Sequence, residues 1–213
     1  FINPRSYDVR FPVTANLASN GLGMAQHLAA VLVASLAAQG KAVPSNVAAA
    51  LEGVDAVVHL AGEPVADARW SAGKKVLIRD SRVLGTRHLV RAVLAHGASV
   101  KAFVQGSASG FFGERGDERL TAASTKGAGF LPDVVEAWEA ELLPLHQRRP
   151  DVRVPVVRTG IVLAREGGAL AEMLPMFRLS AAGRLGSGRQ WMSWIHLDDI
   201  VGLLVPELQR RGL

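Results

Sequence analysis

The sequence contains no cysteine. This absence excludes disulfide bonds, zinc sites with thiolate ligands and thiol nucleophiles from these 213 residues. It fits a protein of the reducing cytoplasm, which is the location that we expect. Long apolar runs are also missing, because no stretch approaches the roughly 20 residues that span a bilayer. We therefore expect no membrane association, and the Ala-rich residues 28–38 predict a buried helix instead.

Charge of one sign is in slight excess, with a formal net charge of +5. The basic residues are scattered, and the short clusters at residues 148–149 and 210–211 have no aromatic residues interleaved with them. A groove for single-stranded nucleic acid needs both features together. We interpret the excess as a solvated basic surface and expect no nucleic-acid partner.

Three short apolar segments, rich in valine, predict buried parallel strands at residues 55–61, 100–107 and 152–163. A helix is predicted over residues 72–96, where Gly97 ends it. A second helix is predicted over residues 132–147, and a short one over residues 170–179. Strands that alternate with helices at this spacing form right-handed βαβ units, so the pattern predicts an α/β fold with a parallel sheet.

Small and polar residues follow each predicted strand, in residues 60–64, 106–113 and 158–162. Ligands of parallel sheets bind beyond the carboxyl ends of the strands, so these segments form the candidate site. The small residues in 60–64 would let a ligand pass close to the backbone, and the alternative is a tight turn. The hydroxyls in 106–113 can bond a ribose or a substrate oxygen, and the alternative is that they cap a turn.

Residues 194–199 combine one histidine with two aspartates. A metal site is one interpretation, but adjacent aspartates usually point in different directions. We favour the alternative that Asp198 caps a helix beginning at Asp199. The sequence therefore predicts no metal ion.

Five motifs occur in order between residues 51 and 205: HLAGEP, SRVLGT, GSASGFFG, VVRTGIVL and GSGRQWMSWIHLDDI. Together they resemble the extended short-chain dehydrogenase/reductase superfamily, whose members include the NAD-dependent epimerases and dehydratases. GEPVADARW and the series LPMFRL, GSGRQ and WIHLDD are similar to an atypical branch labelled "epimerase family protein", sometimes with a cell-division-inhibitor label. The resemblance implies a doubly wound parallel sheet of the Rossmann type in residues 1–163. Residues 164–213 would begin a smaller substrate region, and we expect both ends of the chain to be trimmed.

The resemblance also implies roles for individual residues. NADP is the expected cofactor, with NAD as the alternative. Its predicted contacts are Gly21, Gly23, Leu60, Ala61, Gly62, Glu63, Arg82, Arg158, Thr159, Gly160 and Ile161. Ser107 and Ser109 match the active-site hydroxyl of the family. The predicted substrate cleft contains Trp70, Met173, Gln190, Trp194 and His196.

The glycine-rich phosphate loop departs from the family pattern. Ala15 follows Thr14 where the first glycine belongs, and Gly21 and Gly23 are what remains of the loop before the helix predicted at residues 28–39. In relatives this loop binds pyrophosphate through helix N-terminal amides. A missing segment, an omitted loop and real divergence each explain the departure.

The catalytic pair departs as well, because Tyr7 is the only tyrosine. Leu131 and Val135 stand where the tyrosine and lysine of the family belong, and neither can transfer a proton. Two interpretations follow. The chain belongs to an oxidoreductase or epimerase-like enzyme of a polar small molecule, in which Ser107 orients the substrate and His196 or Glu63 replaces the missing acid/base. Alternatively, it is a non-catalytic NADP-binding sensor or partner-binding module, and in either case we expect a monomer or homodimer.

Overall fold

The computed structural model describes residues 51–66, 69–165, 167–184 and 186–209. Gly21, Gly23, Tyr7 and the helix predicted over residues 28–39 lie outside the described residues. The elements are β1 (Ala56–His59), α1 (Ala72–His96), β2 (Ala102–Ala108), a 3-10 helix (Ser109–Phe112), α2 (Phe130–Ala140), α3 (Leu143–Arg148), β3 (Val156–Thr159), β4 (Ile161–Leu163), α4 (Gly168–Arg178), β5 (Trp194–His196) and α5 (Leu197–Gln209). The described residues divide into two compact units, one of residues 51–105 and 140–155 and the other of residues 106–139 and 156–209.

The first unit contains a βαβ crossover. β1 pairs in parallel with β2, in a register that runs from Ala56 opposite Ala102 to His59 opposite Gln105. The crossover helix α1 begins at Ser71, whose hydroxyl accepts the backbone N–H of Lys74, and ends at Gly97. Both the parallel pairing and the predicted bounds of this helix are confirmed.

The parallel ladder continues on the other side of β2, in a three-stranded sheet of order β1-β2-β3. The backbone N–H of Phe103 donates to the carbonyl of Arg153, and that of Gln105 donates to the carbonyl of Pro155. Strands of a parallel sheet that is buried on both faces are apolar along most of their length, which is why the valine-rich runs identified them.

A cluster of apolar side chains fills the first unit. Its members are Leu51, Val54, Val57, Leu89, Val90, Ala92, Val93, Val100, Phe103, Leu142, Leu145 and Val152. Leu142 and Leu145 belong to the region of α3, which packs against α1. The prediction of one helix over residues 132–147 was wrong, because α2 ends at Ala140 and α3 begins at Leu143. Pro144, in the first turn of α3, has no backbone N–H to continue the hydrogen bonding of α2.

The second unit contains a two-stranded parallel sheet in which Ile161 lies opposite Trp194. α4 packs against β4, and α5 packs against both strands. The single strand predicted over residues 152–163 is divided at Gly160 into β3 and β4. A side chain at Gly160 would overlap the carbonyl of Ser193, so glycine permits the close approach of the two backbones at the point where the predicted strand divides.

The C-terminal helix begins at Leu197, two residues before the predicted start. The prediction that Asp198 caps this helix was wrong. Asp198 lies within the first turn, and its backbone N–H donates to Nδ1 of His196 at 3.2 Å. The imidazole nitrogen therefore takes the role of a cap. The short helix predicted over residues 170–179 is confirmed as α4.

No helix in the part of the chain that the structure describes is long and apolar enough to cross a membrane. The same residues contain no group of three or more histidine, aspartate or glutamate side chains placed to hold a metal ion.

Candidate functional site

The segment that follows β1 is fixed by hydrogen bonds from α1. The backbone N–H of Glu63 donates to the hydroxyl of Ser81 at 2.9 Å, and Nη1 of Arg82 donates to the carbonyl of Glu63 at 2.9 Å. The carboxylate of Glu63 forms an ion pair with the buried Lys74 at 2.7 Å. This segment is therefore held in one conformation at the carboxyl end of a strand.

Gly62 lies directly against the side chain of Arg82. A Cβ atom at this position would come within 2.9 Å of the guanidinium carbon. Burial lowers the pKa of the Arg82 guanidinium, although the nearby carboxylate of Glu63 opposes the shift. The guanidinium of Arg82 thus occupies the space beside the Gly62 backbone that a side chain would fill, and Leu60, two residues earlier, is exposed.

The last residue of β1, His59, is completely buried. Its Nε2 lies 3.0 Å from the hydroxyl of Thr86 in α1. Burial lowers the pKa of His59 to about 4, so the ring is neutral near neutral pH. His59 therefore joins the strand to the helix as a neutral ring.

In the second unit, three polar side chains form a closed network. The hydroxyl of Ser107, near the end of β2, lies 2.6 Å from Oε1 of Glu139 on α2. Arg158 on β3 reaches the same carboxylate with two nitrogens, Nε to Oε1 at 2.8 Å and Nη2 to Oε2 at 2.7 Å. Ser107 is 5% exposed, and the two charged side chains are mostly buried. A bidentate ion pair between a guanidinium and a carboxylate is among the strongest hydrogen-bonded arrangements of charged groups.

The charges of this network are set by its contacts. Burial raises the pKa of Glu139, but the hydrogen bonds from Arg158 and Ser107 outweigh it, so the pKa lies below its usual value. The guanidinium of Arg158 also lies over the ring of Phe111, 3.5 Å from the ring centre. These contacts keep Glu139 ionised and hold Arg158 in one position.

A second group of hydroxyls lies in the same unit. The hydroxyls of Ser109 and Ser193 are 2.8 Å apart, and either can donate to the other. The hydroxyl of Thr159 donates to the carbonyl of Ser107 at 3.3 Å. Together with Ser107, these side chains can orient a polar molecule by donating and accepting hydrogen bonds.

The predicted residues come together within each unit. In the first unit Gly62, Glu63 and Arg82 are in contact. In the second unit Ser107 and Thr159 are hydrogen-bonded, and Arg158 joins Ser107 through Glu139.

Two side chains of these networks, Glu139 and Ser193, were not predicted from the sequence. Glu139 follows Val135 by four residues, on the face of α2 that helical spacing buries. A carboxylate at such a position needs a partner, and this was the signal that could have found it.

The five residues predicted to line the substrate cleft occupy different elements. In the first unit, the indole N–H of Trp70 donates to the carbonyl of Val65 at 2.6 Å. In the second, Met173 is half-buried on α4, while Gln190, Trp194 and His196 are exposed. Their contact with a substrate stays a prediction.

Comparisons with known proteins agree with this architecture. Residues 24–129 match the model of the NAD dependent epimerase/dehydratase family. Epimerase family protein ML0860 of Mycobacterium leprae is 40% identical over 164 residues, which are 77% of this chain and 52% of that protein. The chain therefore spans about half the length of such relatives.

Two solved structures share the fold. Human epimerase family protein SDR39U1 (isoform 2), solved with NADPH, matches with a TM-score of 0.75 and 30% identity. The match covers 93% of this chain and 65% of the human chain. A nucleoside-diphosphate sugar epimerase from Corynebacterium glutamicum has a TM-score of 0.65 and 35% identity, with 76% of this chain and 33% of its own covered. The fold is thus an α/β fold of the Rossmann type. The chain belongs to the NAD-dependent epimerase/dehydratase family of the extended short-chain dehydrogenase/reductase superfamily.

Proposed function

We propose that the protein binds NADP and acts as an epimerase-like or reductase-like enzyme on a polar small molecule. The observation that carries this proposal is the human relative solved with NADPH, which is similar to 93% of this chain. NADP is preferred on that basis, with NAD as the alternative, since a dTDP-glucose dehydratase of the same fold was solved with NAD.

The residues after β1 fit such a cofactor, because Gly62 has no side chain and Arg82 offers positive charge beside it. Leu60, Ala61, Gly62, Glu63 and Arg82 are the proposed contacts in the first unit. In the second unit, the cofactor contacts proposed from the family resemblance are Arg158, Thr159, Gly160 and Ile161. When bound, the nicotinamide would supply a hydride acceptor or donor. The chain's own contribution would be to bind it and to orient a substrate through Ser107 and Ser109.

A second candidate function is a cofactor-binding sensor or partner-binding module without turnover. It is favoured by the two residues that stand where the family's catalytic pair is expected. Leu131 and Val135 both lie on α2, and Val135 is buried. Neither side chain can move a proton. The two candidates share the cofactor and differ in whether a substrate is turned over.

Titration calorimetry of the full-length protein with NADPH and with NADH tests the shared part. We expect saturable binding that is tighter for NADPH. In Gly62→Val the new methyl groups would displace the guanidinium of Arg82, so binding should weaken at least tenfold, which corresponds to about 1.4 kcal/mol. The matched control is Gly202→Val, since a Cβ at Gly202 meets nothing within 4 Å. Absence of binding to both nucleotides would contradict the proposal.

Other parts of the proposal rest on the sequence. We propose that residues 164–213 begin a substrate region, that the partner is a small molecule rather than a nucleic acid, and that the protein is a monomer or homodimer. A cytoplasmic location, expected from the lack of cysteine, also stays a proposal.

A further inference from the structure

The hydrogen bond between Ser107 and Glu139 has a defined direction. A serine hydroxyl carries a single proton and two lone pairs. The carboxylate of Glu139 is ionised, because Arg158 donates to both of its oxygens. An ionised carboxylate can only accept, so the proton in the 2.6 Å contact belongs to Ser107.

We propose that Glu139 is a positioning residue which takes the only proton of Ser107, so that Ser107 meets a substrate solely as a hydrogen-bond acceptor. This inference rests on the proposed function and narrows its substrate class. The substrate group that Ser107 accepts from must carry a proton on oxygen or nitrogen, whereas a carbonyl oxygen at the same place would face lone pairs. The site therefore favours a hydroxyl over the corresponding carbonyl at this position.

The neighbouring hydroxyls behave differently. Ser109 and Ser193 share one hydrogen bond, which uses one of their two protons. One donor remains in that pair, whereas Ser107 keeps none. The same unit thus offers an acceptor at Ser107 and a donor at the Ser109–Ser193 pair, an arrangement that suits a molecule with several oxygen groups.

Arg158 is what makes the arrangement stable. Without the guanidinium, burial alone would raise the pKa of Glu139, and a protonated carboxyl group could itself donate to Ser107. Loss of Arg158 also removes a positive charge near residue 107. Loss of Glu139 instead removes a negative charge and leaves the positive charge of Arg158 unopposed there. The two substitutions therefore predict shifts of opposite sign for any titratable group placed at residue 107.

A cysteine probe can measure those shifts, because these 213 residues contain no cysteine of their own. Any cysteine elsewhere in the full-length protein is first replaced by serine. In Ser107→Cys of the full-length protein, the thiol would donate to Glu139, and its ionisation would place a thiolate against a carboxylate. We expect its pKa, followed by thiolate absorbance in the ultraviolet, to lie above the ordinary value of about 8.5. Adding Glu139→Gln should raise the acid dissociation constant of the thiol at least tenfold. Adding Arg158→Met instead should lower it.

The control probe is Ser99→Cys. The hydroxyl of Ser99 also donates, at 2.7 Å, but to the neutral carbonyl of Val54. Its thiol pKa should not change with Glu139→Gln. If Glu139→Gln does not fold, as judged by circular dichroism, the test rests on whether Arg158→Met raises the thiol pKa at residue 107.

Equal thiol pKa values with and without Glu139, or a fall with Arg158→Met, would overturn the inference. NADPH titration of the same variants separates the two proposals. Retained NADPH binding with unshifted thiols would refute the role of Glu139 and leave the cofactor assignment intact. Shifted thiol pKa values without NADPH binding in the parent protein would support the role of Glu139 and refute the cofactor assignment.

Discussion

The buried histidine at the end of β1 predicts how the stability of the protein depends on pH. The pKa of His59 falls from the ordinary 6.5 to about 4 because the ring is buried. The folded state therefore binds its proton less readily than the unfolded state does. The stabilising contribution of the neutral ring is complete above pH ~6.5 and is lost as the pH falls towards about 4.

The size of the effect follows from these two pKa values. Between about pH 7 and about pH 5, proton uptake by the unfolded chain at this one site should lower the free energy of unfolding by about 2 kcal/mol. In His59→Gln the amide can still bond the hydroxyl of Thr86, but no group titrates at this position. The variant should therefore lose about 2 kcal/mol less than the parent over the same pH range.

Urea unfolding followed by circular dichroism, at several pH values for both proteins, measures this difference. The exposed His146→Gln is the matched control and should follow the parent protein. Parallel pH dependence of the parent and His59→Gln would refute the assignment of a buried, neutral histidine.

Three substitutions test the packing of the two units by chemical denaturation. Trp138→Ala removes a buried ring and should cost about 3–5 kcal/mol, whereas a cost below 1 kcal/mol would contradict its burial. Gly160→Val would force a side chain onto the carbonyl of Ser193, and we expect about 1–3 kcal/mol of destabilisation. An unchanged unfolding midpoint would argue against the close approach of Ser193 to this glycine. Arg149→Met removes hydrogen bonds to the carbonyls of Gly97, at 3.1 Å, and Val100, at 3.0 Å. We expect it to cost about 1–3 kcal/mol of stability, and unaltered stability would contradict these contacts.

The local elements of the first unit were predictable from the sequence. α1 follows the predicted bounds because Ser71 and Gly97 mark its ends. The parallel strands were recognisable because buried strands of such sheets are apolar on both faces. The break at Pro144 was missed, since the apolar spacing continues across it and only the missing backbone N–H ends the helix.

Features that depend on distant residues were not predictable in the same way. Glu139 gains its role from Ser107, 32 residues earlier, and from Arg158, 19 residues later. The division of a predicted strand at Gly160 depends on Ser193, which approaches only in the folded chain. His196 replaced the predicted cap because its ring nitrogen reaches a backbone N–H. In each case the local pattern was compatible with two outcomes, and a tertiary contact decided between them.

The most direct test of the cofactor proposal is hydrogen–deuterium exchange of the full-length protein with and without saturating NADPH. We predict slower exchange of the backbone amides in residues 60–63 when NADPH is present. Residues 143–148, which form α3, should exchange at the same rate in both conditions. Unchanged exchange in residues 60–63, under conditions in which calorimetry shows the nucleotide to be bound, would contradict the assignment of this segment to the cofactor.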